Sequence, residues 1–186
     1  MILLVKRQIN SITYIDWEGS MSVTIALSVC MMIGLFLLLL GGVGYVLDKK
    51  FFSSAPREVL NVVPETKTMR FAGQHILGWI IISLALVLMI AAVIIEGYYG
   101  VKNESSFLQQ FLRFMLMFFC LKAFDIGFFD WFLLCNAGLN FFLHFYPETK
   151  SVLNRQLFGY NWKTHLLHII CIVPISAFLA WICLLF

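Results

Sequence analysis

Charge is what this sequence has least of. Only 12% of its residues are Asp, Glu, Lys or Arg, against about a quarter in a typical soluble domain. Three stretches carry no formal charge: between Glu18 and Asp48, between Arg70 and Glu96, and after Lys163 to Phe186. A water-soluble fold cannot hide that much uncharged chain, because its own surface must still be solvated. Runs of like charge are also missing, and the net charge is only +3. That excludes the basic footprint of a nucleic-acid partner. The five cysteines include no CxxC pair and are odd in number, which excludes a simple disulfide framework. No HExxH, GxSxG or phosphate-loop pattern occurs. The cluster Gly41, Gly42, Gly44 lacks the lysine such a loop needs and reads instead as a packing face or helix end.

What is present is apolar sequence: 61% of 186 residues. Lipid is the solvent that fits, and the predicted class is an all-α polytopic membrane protein forming one domain. A spanning helix needs about 20 apolar residues. The gaps in charge place the first span at 23–47, the second at 75–98 and the fourth at 163–186. A third span at 107–135 is apolar but carries Arg113, Lys122, Asp125 and Asp130. The whole apolar region from Phe107 to Phe145 is too long for one crossing at about 1.5 Å per residue. A break near Asn136, Gly138 and Asn140 is expected, followed by an interfacial segment and loop at 136–161. Residues 48–73 form the largest loop. Residues 1–20 do not have the order of a secretory signal, and their loose alternation suits a segment lying on the membrane surface. Gly34 and Gly41 share a helix face and could admit a close neighbour. Pro174 should kink the last span.

Basic residues set the topology. Loops 48–73 and 136–161, with the start of the fourth span, carry Lys49, Lys50, Arg57, Lys67, Arg70, Lys150, Arg155 and Lys163. The other side carries Lys6, Arg7 and Lys102. The positive-inside rule puts the first side in the cytoplasm and both termini outside. Within these loops, Pro64-Glu65-Thr66-Lys67 recurs as Pro147-Glu148-Thr149-Lys150. Each copy precedes an even-numbered span, and those spans open alike, with His75 and His165. Two duplicated helical hairpins would produce this pattern.

Ionisable groups inside membrane helices are costly and are usually paired or functional. Lys122 and Asp125, three apart, should form a local ion pair. Asp130 lies about 140° further round at 3.6 residues per turn. It therefore needs another partner, such as His144, a histidine of the last span, or water. Arg113 is near enough to the outer end to snorkel. The four histidines, His75, His144, His165 and His168, fall near the cytoplasmic boundary with Glu65, Asp130 and Glu148. His165 and His168 are three apart, so both could bind one metal ion or a haem. The plainer reading is that an amphipathic, weakly basic side chain suits an interface.

Asp125, then Asp130-Trp131, Pro147-Glu148-Thr149, Tyr160 and His165 resemble an uncharacterised family of small four-helix bacterial membrane proteins. The resemblance covers roughly residues 120–170. It implies a bacterial cytoplasmic membrane and singles out Asp125, Asp130 and Glu148, but implies no activity. The chain departs from that pattern after Pro147, where a glycine is expected.

The leading expectation is a helical bundle serving small-solute or ion permeation, or acting as a subunit of a membrane complex. Lys122, Asp125, Asp130 and Glu148 would form its polar cluster. Four helices enclose little volume, so a homo-oligomer or a partner membrane subunit is expected, with membrane lipids around it. The alternative is a membrane-embedded metal- or haem-dependent enzyme acting on a lipid or quinone.

Overall fold

A computed structural model describes residues 2–52, 55–65, 67–135, 140–153 and 158–186, with side chains described outside 2–20, 52 and 140–142. Among the described residues every element is helical. Helix α1 runs Ile2–Leu39 and passes without a break into a π-helical segment, Leu40–Val46. A short 3-10 turn, Lys49–Phe52, and helix α2, Arg57–Val62, follow. Helix α3 is Gln74–Lys102. Helix α4, Phe107–Phe124, also continues as a π segment, Asp125–Leu134. Helix α5, Asn140–Phe145, a 3-10 turn, Pro147–Ser151, and helix α6, Trp162–Cys183, complete the chain.

Among the described residues, three helical stretches are long and apolar enough to cross a membrane: Met21–Val46, Gln74–Lys102 and Trp162–Cys183. These coincide with the three gaps in charge, and so with the first, second and fourth expected spans. Helix α4 with its π segment carries four charges and falls outside that set. Residues 2–20 continue α1 as helix. The expected break at Asn136 and Gly138 lies outside the described residues, as do Thr66 of the first tetrapeptide copy and Arg155. Asn140 opens α5.

Burial is inverted relative to polarity. On α3 the buried positions include Gln74, Gly78, Ala85, Ala92, Glu96 and Gly100, while Ile80, Leu84, Val87, Ile90 and Ile94 are exposed. In water such a helix would turn over. In lipid the apolar face is the solvated one, and small or polar residues mediate helix contact. Trp79 and Tyr98 are exposed near opposite ends of α3, as an aromatic belt requires.

Helix α1 packs on α3 and α4, and α4 packs on α6. The α1–α3 crossing depends on glycine. A Cβ on Gly41 would stand 3.0 Å from the Gly78 carbonyl oxygen, and one on Gly34 would stand 3.3 Å from that of Ala85. The shared face of Gly34 and Gly41 thus does admit a close neighbour. The helices meet in one apolar core centred on Met31, Ala92, Phe114, Met117 and Ala180. A second core seals the loop end. There Val59 and Val63 pack with Val43, Leu47, Leu133 and Tyr146.

Candidate functional site

A set of ionisable groups lies along the seam between α4 and α6. Lys122 Nζ donates to Asp125 Oδ2 at 2.6 Å and lies 3.2 Å from His168 Nδ1. Five residues on, Asp130 Oδ2 lies 2.5 Å from His165 Nε2. The local Lys122–Asp125 pair is as the spacing requires. Asp130 finds a histidine of the last span, one of the partners expected for it.

The angular expectation for Asp130 fails, for a clear reason. At α-helical pitch Asp130 would point well away from Asp125. A π-helix closes its hydrogen bonds five residues apart, so residues 125 and 130 come onto one face. Both then address α6, whose His165 and His168 sit one turn apart. The two segments run antiparallel, so Asp130 meets His165 at the loop end and Lys122 meets His168 one turn deeper.

Beside Lys122, Asp125 and His168 lies a cavity of about 310 Å³. Its other walls are apolar: Leu35 of α1, Phe118 and Leu121 of α4, and Ile172 and Ile175 of α6. Asp130 does not line it. The side chain of Asp130 is 14% exposed against 30% for Asp125, so Asp125 is the carboxylate that faces open space.

A second polar station lies at the opposite end of the bundle. Arg113 does not snorkel. It is 1% exposed, and its Nε lies 2.7 Å from Oε1 of Glu96, which is fully buried. The pairing with Glu96 across α3 and α4 explains this, since a buried guanidinium needs a counter-charge more than it needs water. Thr24 of α1 ties the pair to a third helix, donating to Glu96 Oε1 at 3.0 Å and accepting from Arg113 Nε at 3.1 Å. Gln110 donates to the Glu96 carbonyl, and the Arg113 guanidinium stands over the Tyr99 ring, 5.1 Å from its centroid. Glu96 Oε2 and Arg113 Nη2 have no hydrogen-bond partner among the described residues. Nine residues of α4 separate Arg113 from Lys122, about 13 Å of helix rise. Phe114 and Met117 fill the interval.

Glu148 joins neither station. It accepts from Lys67 at 3.1 Å through both carboxylate oxygens, and Lys67 Nζ also stands 4.6 Å over the Tyr146 ring. Lys67 belongs to the first Pro-Glu-Thr-Lys copy and Glu148 to the second, so the two copies touch. Burial, with the Glu148 and Asp48 carboxylates nearby, pushes the Tyr146 phenol well above the usual range. Partial burial pushes Tyr160, which is 38% exposed, up to about 12.

The histidines do not converge. His165 goes to Asp130 and His168 to Lys122. His144 goes to Arg70, which bonds both its ring and its carbonyl oxygen. His75 packs edge-on against Trp79, ring centres 6.2 Å apart. Among the described residues no group of three or more His, Cys, Asp or Glu side chains could hold a metal ion.

The Glu96 station was missed because Glu96 reads as the charge that ends a span. One signal was available. Glu96 and Arg113 stand equally far from the turn between Glu104 and Ser105, so an antiparallel hairpin brings them level. No protein-family model, curated protein or solved structure matches the chain.

Proposed function

We propose that the protein crosses the membrane four times, with α4 and its π segment as the third crossing, and that the α4–α6 seam conducts protons or a small ion. The observation that carries this reading is the pairing of His165 and His168 with Asp130 and with Lys122–Asp125 along a seam of an apolar bundle. Ionisable groups at such depth are retained for pathways and relays, and histidine is the group that exchanges protons near neutrality. Asp125 faces the cavity, which gives the seam an entrance.

Three features bear on the arrangement in the membrane. The Lys67–Glu148 and Arg70–His144 contacts join loop 48–73 to the chain around 144–148, which fits loops on one side, the cytoplasmic one by their basic residues. Both hairpins begin with a helix that ends in a π segment, and the two tetrapeptide copies meet. This supports an origin by duplication. The apolar core between the two polar stations closes the seam within one chain, so conduction requires a second copy or a partner membrane subunit.

The test is flux in proteoliposomes. Asp125→Asn and Asp130→Asn should each abolish proton or cation flux while leaving the helical content unchanged. Variants that fold and still conduct fully would sink the reading. Single-cysteine labelling at Lys50 and Lys102 checks sidedness: reagent from the cytoplasmic face should reach the first and not the second.

A further inference from the structure

We infer that the cavity beside Lys122, Asp125 and His168 is a binding site for a neutral, hydroxyl-headed single-chain lipid taken from the loop-side leaflet. The inference rests on the four-span reading for its orientation but does not require that the seam conduct anything.

Polarity runs along the cavity. Its charged end holds Lys122, Asp125 and His168. Its walls then become purely apolar toward the middle of the bundle, through Leu121 and Phe118 on α4 and Ile172 and Ile175 on α6. From His168 to Ile175 is about 10 Å of helix rise. A lipid in the loop-side leaflet is oriented the same way, with its head toward the loops and its chain toward the bilayer centre. A cavity of about 310 Å³ is at the small end of ligand sites. It fits a small head and the first part of a chain, with the remainder in bulk lipid.

The head must be neutral. Lys122 and Asp125 already cancel one another at 2.6 Å. A carboxylate head would compete with Asp125 for Lys122, and an ammonium head would compete with Lys122 for Asp125. Either would leave a charge uncompensated in a place where that is costly. A hydroxyl needs no such exchange. The Lys122 ammonium can only donate, so His168 Nδ1 accepts from it and the neutral ring carries its proton on Nε2. Nε2–H is then available to donate to the lipid hydroxyl oxygen, and Asp125 Oδ1 to accept its proton. Neither atom has another partner among the described residues.

The test uses the full chain in phosphatidylcholine vesicles with three photoactivatable long-chain probes. The probes share a diazirine tail and differ only in a hydroxyl, carboxylate or ammonium head. Crosslinks are mapped by mass spectrometry. The hydroxyl probe should label residues 118–121 and 171–175 several-fold more than either charged probe. Ile175→Trp and Leu121→Trp, at different walls of the cavity, should each remove most of that labelling. Equal labelling by all three heads overturns the inference, and so does labelling that survives both tryptophans in folded protein. Labelling without flux would sink the conduction path and leave the lipid site. Flux without head-selective labelling would do the reverse. Failure of the sidedness labelling at Lys50 and Lys102 would remove the orientation on which both depend.

Discussion

Asp130 and His165 lie 2.5 Å apart across α4 and α6, with side chains 14% and 5% exposed. Contacting, mostly buried partners are energetically coupled. Asp130→Asn and His165→Ala should each destabilise the protein, and the double variant should cost less than the sum by about 1 kcal/mol. Chemical unfolding in detergent, read on all four members of the cycle, checks this. Additive effects would mean that the contact is not made.

The Glu96–Arg113 pair is deeper, and its disruption should cost more. Removing one partner of a buried pair leaves a bare charge, at about 3–5 kcal/mol. Glu96→Gln or Arg113→Met alone should therefore lower the unfolding midpoint sharply. Glu96→Gln combined with Arg113→Gln should recover much of the loss, because no charge then remains. A double variant as unstable as the singles would show that the charges are not the reason for the pairing.

The loop contact between Lys67 and Glu148 is partly exposed, at 24% and 28%, so its contribution is bounded at about 1 kcal/mol. Lys67→Glu should destabilise within that bound, and adding Glu148→Lys should restore stability. The Tyr146 ring beneath Lys67 adds a cation–π term, so Lys67→Arg should be tolerated better than Lys67→Met.

Alkaline pH should weaken the loop end. Tyr146 and Tyr160 have folded pKa values raised above the ordinary 10.0. A raised value means that the unfolded chain loses the proton first. Their contribution to stability is then fully present below about pH 10, and it is lost as pH rises through the folded values. Tyrosinate absorbance of the folded protein should lag that of the unfolded chain, and Tyr146→Phe should flatten the alkaline fall in stability.

The spans were legible in the sequence where charge was absent. Three unbroken apolar runs mark three helices with no help from packing, because lipid imposes length and composition directly. The polar seam was legible in its members and only half in its geometry. Lys122 and Asp125 pair within one helix, so the α-period was enough. Asp130 could not be placed, because it lies in a π segment. That state is rare, and the α-helical period does not anticipate it. Glu148 was grouped with the wrong residues for a different reason. Its partner Lys67 lies far away in sequence, and only the folded loops bring them together. The Glu96–Arg113 pair required treating two span ends as one hairpin.

That pair has a consequence for how the chain is made. If α4 is a crossing as proposed, α3 on its own would present Glu96 to the membrane with no counter-charge, and α4 would present Arg113 in the same state. Neither helix is a comfortable passenger alone. Only a few residues, from Asn103 to Ser106, separate them, so each can neutralise the other as soon as both have emerged. On the four-span reading proposed above, the middle hairpin, rather than either of its helices, would be the unit that enters the bilayer. Thr24 on α1, earlier in the chain, bonds both members of the pair.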